Sequence, residues 1–192
     1  MKSFAIWYFA AVGAPLLAVI AIVTIGLVVE RIRLAAPCPS SGVVFNVLYQ
    51  VPFNLLNAVS VPVASGLAVA ATNALGGGLV TLPSSGWGFA WAAAVYIMTM
   101  DFCEYLFHRA QHRLPALWAM HSFHHSDRAM NISTTQRHFW AEHAIKSVTI
   151  YLAVGLLFRS NDRIAAIYGI LSLWNYVSHM NLRSASARSG SF

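Results

Sequence analysis

The stretch 108-HRAQHRLPALWAMHSFHHS-126 holds five of the eight histidines of this 192-residue chain. The residues around it are mostly apolar, since hydrophobic side chains make up 58% of the chain and charged side chains only 9%. Soluble domains carry about 25% charged residues, so this composition is typical of a membrane protein. The histidines are therefore concentrated in one short segment of a largely apolar chain.

Three apolar stretches are long enough to cross a bilayer as helices, which requires about 20 residues. They are residues 4–29, 43–71 and 87–107. A cleaved signal peptide is the alternative for the first stretch, but its apolar part would be only about 7–15 residues long. Pro52 and Pro62 could kink the second stretch or split it into a broken pair. We take the second stretch as one crossing.

Arginines flank these stretches on one side of the predicted membrane. Arg31 and Arg33 follow the first stretch, and Arg109 and Arg113 follow the third, whereas the loop 72–88 has no charged residue. The positive-inside rule therefore predicts an integral, multi-pass membrane protein with its histidines on the cytosolic face. The same rule and anionic headgroups account for the net charge of +6, so we expect no nucleic-acid partner.

Two shorter apolar runs, 145–158 and 164–178, follow the histidines and are joined by a polar turn. They predict a helical hairpin that dips into the bilayer and returns. Alternatively, the first run spans the bilayer fully and the turn lies on the far side of the membrane. Either path of the hairpin brings His179 back to the cytosolic face.

Residues 184–192 predict a disordered tail. The fold class is therefore an all-α, polytopic transmembrane helix bundle, a single membrane domain 1–192, with a cytosolic histidine-rich helical cap at 108–143.

The spacing of the histidines indicates a metal site. His108 and His112 are four residues apart and project from one face of a continued third helix. Residues 121–125 form a His-x-x-His-His group, and Pro115 separates the two groups so that a turn can fold them together. Imidazole suits iron, zinc, copper and nickel.

The number of histidines exceeds the need of one four-coordinate zinc and predicts two metal ions. The candidate ligands are His108, His112, His121, His124, His125 and His179. His138 and His143 are weaker candidates. The acids that could orient ligating imidazoles are Asp101, Glu104, Asp127 and Glu142.

Residues 101–142 read DFCEYLFHRAQHRLPALWAMHSFHHSDRAMNISTTQRHFWAE. This stretch resembles the fatty acid hydroxylase and sterol desaturase superfamily of integral membrane di-iron enzymes, in its Asp-aromatic-HRxxH box, its Trp and HxxHH box, and its Asn, Thr and Arg-His pair. The resemblance implies an enzyme that uses two iron ions, O2 and a separate electron donor to hydroxylate or desaturate a fatty acyl, sterol or related membrane lipid.

The resemblance also assigns the histidines to the motifs of the family. His108 and His112 fall on the first box, and residues 121–125 fall on the second. His179 is similar to the isolated histidine that follows the hairpin, and His138 matches the Arg-His pair.

A further HxxHH box that ends the family's catalytic region does not occur before Phe192. The expected ligand set is therefore incomplete, and a catalytically inactive remnant is an alternative. A zinc site is a second alternative, although the chain has no HExxH and has surplus histidines. A haem-binding membrane subunit is a third, although its histidines would lie within neighbouring spans.

Overall fold

The computed structural model describes residues 13–159 and 161–183, and the chain is mostly helical. Its α-helices are α1 (Ala14–Ile32), α2 (Ser40–Ala74), α3 (Gly86–Gln111), α4 (Pro115–His125), α5 (Glu142–Lys146), α6 (Leu152–Leu157), α7 (Asp162–Ser172) and α8 (Trp174–Ser178). A 3-10 turn covers Ile132–Gln136, and a π-helical turn, Ser147–Tyr151, joins α5 to α6. The strands β1 (Val80–Thr81) and β2 (Phe158–Arg159) pair in parallel. The predicted helical class is confirmed, with this strand pair as a small addition.

Helix α2 is unbroken over 35 residues, and Pro52 and Pro62 do not divide it. At a rise of about 1.5 Å per residue it is about 50 Å long, which exceeds the hydrocarbon core of a bilayer. Within residues 13–159 and 161–183, it is the one helix both long and apolar enough to cross a membrane. The stretch 43–71 therefore forms the expected single helix, and membrane crossing by this stretch and by the other two stays a prediction.

The other predicted segments are matched in part. Helix α1 covers the later part of stretch 4–29, and α3 covers stretch 87–107 and extends beyond it. Residues 4–12 of the first predicted span, and the tail 184–192, lie outside the described residues. The described chain divides into two compact units. The first unit comprises residues 13–55, 123–138 and 174–183, and the second comprises residues 56–122, 139–159 and 161–173.

The first unit has an apolar cluster in which α1 and α8 pack on the 3-10 turn. Val23, Ile132 and Tyr176 are its buried members. Gly26 permits this packing, because a Cβ at that position would lie 2.0 Å from Cδ1 of Ile132. A side chain larger than hydrogen would therefore push the 3-10 turn away from α1.

A buried carboxylate fastens the same unit. Glu30 is 4% exposed, and its Oε1 accepts hydrogen bonds from the backbone N–H groups of Ile132 and Asn181, each at 2.8 Å. Buried carboxylates are costly unless such donors satisfy them. Glu30 therefore holds three distant parts of the sequence together near the end of α1.

The second unit brings the predicted hairpin turn to the uncharged loop that precedes α3. Three side chains of the turn donate to backbone carbonyls of the loop: Arg159 to Gly76, Asn161 to Pro83 and Arg163 to Ser84. The turn therefore lies at the end of α3 opposite the histidines. Both predicted hairpin routes stay predictions.

Candidate metal centre

Three of the predicted ligands lie together in the second unit. His108 is in the last turn of α3, His112 follows that helix directly, and His121 is on α4. Their ring centroids are 4.7 Å apart for His108 and His112, 4.7 Å for His108 and His121, and 5.1 Å for His112 and His121. The short turn before Pro115, where α4 begins, brings α4 back toward the end of α3. We call these three residues the second-unit histidine group.

The three imidazoles can face one point. Their possible ligand nitrogens all lie within 4.8 Å of one another. Two nitrogens that bind one ion at about 2.1 Å each are at most about 4.2 Å apart, so small side-chain rotations bring the group to ligand geometry. His108 and His112 are exposed, whereas His121 is 2% exposed.

Glu142, the first residue of α5, lies beside this group. Its Oε1 is 3.7 Å from Nδ1 of His121, and its side chain is 1% exposed. This separation is longer than a hydrogen bond, and a small shift of either side chain would let the carboxylate accept the Nδ1–H and orient the imidazole. Glu142 therefore has the position expected of an orienting acid, whereas Glu104 pairs with Nζ of Lys146 at 2.8 Å.

The remaining three predicted ligands lie in the first unit. Nε2 of His124 and Nε2 of His179 are 3.3 Å apart, and the ring of His125 lies 5.3 Å from that of His124. The ring of His138, a weaker candidate, stacks on His124 at 4.6 Å with an interplanar angle of 6°. We call these four residues the first-unit histidine group. His143 lies on α5.

The protonation of His179 follows from its backbone partner. Its Nδ1 lies 2.6 Å from the carbonyl oxygen of Asn175. A carbonyl can only accept, so Nδ1 carries the proton and the lone pair of a neutral ring is on Nε2. Nε2 is the atom that faces His124, which is the arrangement of a metal-ligating histidine held by a backbone carbonyl.

Arg137 fixes the end of α4 that carries two histidines of the first-unit group. Its guanidinium donates to the carbonyl oxygen of Phe123 at 3.2 Å, to Oδ1 of Asn46 at 3.1 Å and to Oγ of Ser126 at 2.7 Å. It also lies over the rings of Phe45 and Phe123, at 4.8 Å and 5.2 Å from their centroids. A planar fork of donors suits this set of partners better than a lysine would.

Asp127 completes the polar network around Arg137. Its carboxylate accepts from Asn46 at 2.8 Å, from Thr134 at 2.7 Å and from the N–H of Ala129 at 3.2 Å. Burial by itself would raise the pKa of Asp127, but these hydrogen bonds and the charge of Arg137 at 4.0 Å hold it below the usual value. Asp127 is therefore ionised at neutral pH and is balanced by Arg137.

Helix α2 contributes two polar side chains to this unit that the sequence motifs did not indicate. Tyr49 donates from its hydroxyl to the carbonyl oxygen of His138 at 2.9 Å, and Asn46 joins the network of Asp127 and Arg137. Asn46 and Tyr49 are three residues apart and thus share a helix face. A polar pair at helical spacing inside an apolar stretch was the available signal, because polar residues in such helices face the protein interior.

The model of the fatty acid hydroxylase family matches residues 93–191, which are 99 of the 192 residues. The chain belongs to the fatty acid hydroxylase family. The match contains all six predicted ligands and extends well beyond residues 101–142, where the motifs are concentrated. The resemblance inferred from the motifs is confirmed, and it places the chain in a membrane-associated family known for iron use.

Among curated proteins, this fatty acid hydroxylase family member is similar to an alkylglycerol monooxygenase of Danio rerio, with 41% identity over 51 residues. The aligned part is 27% of this chain and 11% of the relative. The chain thus spans only a small part of the relative it matches. No solved structure matches the chain.

The donor set fits the iron of this family. Imidazole nitrogens are suitable ligands for ferrous iron, and the second unit brings three of them within 4.8 Å of one another. The 3.3 Å between Nε2 of His124 and Nε2 of His179 is the separation of neighbouring ligands on one ion. The second-unit histidine group therefore offers a set of donors suited to one metal ion, and the first-unit group offers a close pair of donors, His124 and His179.

Proposed function

We propose that this member of the fatty acid hydroxylase family binds two iron ions, one at each histidine group, and oxidises a C–H bond of a membrane lipid with O2. The observation that carries the proposal is the pair of Nε2 atoms of His124 and His179, 3.3 Å apart. His179 has its other ring nitrogen bonded to the carbonyl oxygen of Asn175, so its lone pair is directed where a metal would lie.

The proposed ligands divide by unit. One iron is held by His108, His112 and His121, and the other by His124, His125 and His179. His138 is an additional donor or a ring that supports His124. Helix α4 carries one proposed ligand of the first set, His121, and two of the second, His124 and His125.

When bound, iron supplies the activation of O2 and the oxidising power for the C–H bond, with electrons from a separate donor. The residues of the chain orient the proposed ligands. Glu142 holds His121 in one tautomer, the carbonyl of Asn175 does the same for His179, and Arg137 fixes the end of α4. Hydroxylation or desaturation then depends on how the lipid is placed.

The membrane setting is part of the proposal. Helix α2 crosses the bilayer, α1, α3 and the hairpin form further spans, and the histidines lie at the cytosolic face. A fatty acyl, sterol or related lipid then reaches the centre from the bilayer. Because the Danio rerio relative is named an alkylglycerol monooxygenase, an alkylglycerol is the first substrate to test.

Metal analysis of the purified full chain tests the proposal. After anaerobic reconstitution with ferrous iron, we expect about two irons per chain, since the proposed ligands are imidazoles divided between two groups. Less than one iron per chain would contradict the di-iron proposal. A Soret band after expression would favour a haem protein, and preferential retention of zinc would favour a zinc site.

Product analysis with an alkylglycerol, O2 and a chemical electron donor then tests the reaction itself.

A further inference from the structure

A cavity of about 210 Å³ opens in the first unit beside the start of α2. Its walls come from the segment that leads into α2, from residues 126–129 after α4, and from Arg137. None of the predicted metal ligands lines it. The cavity is thus a feature distinct from the histidine groups.

The charges that line the cavity leave a positive balance. Arg128 and Arg137 contribute two guanidinium groups, and Asp127 contributes one carboxylate. The oxygens of Asp127 already accept hydrogen bonds from Asn46, Thr134 and the N–H of Ala129. The carboxylate is therefore occupied by its own unit, whereas Arg128 is exposed at the cavity wall.

Arg137 also has donors to spare for a ligand. Three of its five N–H groups serve Phe123, Asn46 and Ser126. The guanidinium is held rigidly by those bonds and by the Phe45 ring, so a ligand would lose little additional side-chain entropy on binding it. One fixed guanidinium and one exposed guanidinium form a suitable pair for an oxyanion.

The start of α2 gives the cavity its space and its depth. Ser41 and Gly42 line it, and a Cβ at Gly42 would lie 3.8 Å from Oδ1 of Asp127. Glycine at this position therefore keeps room next to the carboxylate. Helix α2 has no acidic residue in its first turn, so nothing in that turn opposes an anion, and the end of a helix able to cross a bilayer lies at headgroup depth.

We propose that this cavity binds a phosphate monoester group, with Arg128 and Arg137 as its cationic partners. An anionic lipid headgroup is one source of that group and free phosphate is the other. The volume accommodates a phosphate, and the two arginines outweigh the single, internally bonded carboxylate. The proposal does not depend on the iron centre.

Binding of dioctanoyl phosphatidic acid to the full chain in detergent, measured by isothermal titration calorimetry without added metal, tests this site. Arg128→Gln removes one cationic partner at an exposed position, and we expect it to weaken binding about tenfold. Arg33→Gln is the matched control, because Arg33 is exposed in the same unit and does not line the cavity. It should leave the affinity unchanged.

A second variant, Gly42→Ala, separates binding from folding. It should raise the thermal unfolding midpoint, because alanine favours a helix, and should weaken binding by filling the cavity.

Tighter binding of the lipid than of inorganic phosphate identifies a headgroup site, and equal binding with the same dependence on Arg128 identifies a free-phosphate site. The proposal would be overturned if Arg128→Gln and Arg33→Gln changed the affinity equally, or if neither probe bound. Loss of iron binding in other variants does not affect this result.

Discussion

The second-unit and first-unit histidine groups differ in how far apart their members lie in the sequence. His108, His112 and His121 come from the end of one helix and from the next helix, across a short turn. His124 and His179, by contrast, are 55 positions apart. The second-unit group can therefore form from local chain folding, whereas the first-unit group needs a tertiary contact between distant segments.

The two groups also differ in what holds them. A buried acid, Glu142, lies directly beside His121 in the second unit. In the first unit, the carbonyl of Asn175 fixes His179, and Arg137 fixes the end of α4. The second-unit group thus has a buried carboxyl group beside it, whereas the first-unit group is supported by a backbone carbonyl and an arginine network. Variants can separate these two kinds of support.

Removal of one ligand from each group should give the largest effects. His121→Ala and His179→Ala should each lower the iron content by about one ion per chain, because each removes a donor from a different group. Iron content after anaerobic reconstitution is the measurement, and His143→Ala is a comparison variant on α5. If the double variant bound as much iron per chain as each single variant, both substitutions would affect the same ion. The division into two groups would then be wrong.

Glu142→Gln should weaken iron binding at the second-unit group by about 10- to 100-fold, which is the usual effect of losing an orienting partner. Binding at the first-unit group should not change. A titration with ferrous iron in which the two sites are followed separately measures this difference. Glu104→Gln is the matched control, since it breaks a partly exposed pair with Lys146. Equal effects of the two variants would remove Glu142 from its assigned role.

Arg137→Lys should destabilise the first unit by about 2–4 kcal/mol, because lysine cannot bond Phe123, Asn46 and Ser126 together and leaves Asp127 poorly balanced. The thermal unfolding midpoint of the metal-free chain in detergent should fall. Arg33→Gln, at an exposed position, should leave it nearly unchanged. A midpoint for Arg137→Lys within error of the unaltered chain would show that the network is not what stabilises this group.

The pH dependence of stability should show the smallest effect. The pKa of Asp127 is lowered below 3.8 in the folded chain, so its stabilising contribution is fully present above about pH 4 and disappears as the pH falls through the folded-state value. Unfolding midpoints of the unaltered chain and Asp127→Asn should therefore differ at pH 6 and converge at low pH. Asp101→Asn, at an exposed position, should show no such convergence. A constant difference would contradict the assignment.

Several features of the fold could be predicted because they depend on local sequence. Apolar length predicted α2 and α3, and the polar turn 159–163 predicted the point where the hairpin reverses. The two prolines of α2 left its continuity open, since proline can either interrupt or be accommodated within a long helix. The strand pair of two residues each was missed, because so short a pairing leaves no periodicity to detect.

The sequence by itself indicated the family, and spacing within one helix or across one turn indicated five of the six candidate ligands, because it limits which side chains can converge. The sixth, His179, followed from the path of the hairpin and from the resemblance. Only the tertiary structure brought Nε2 of His124 to 3.3 Å from Nε2 of His179. It also decided that Glu142 faces His121, that Asn46 and Tyr49 of α2 support the first unit, and that a cationic cavity lies at the start of α2. Such contacts join residues tens of positions apart, and their formation depends on the packing of whole helices, which local patterns do not encode.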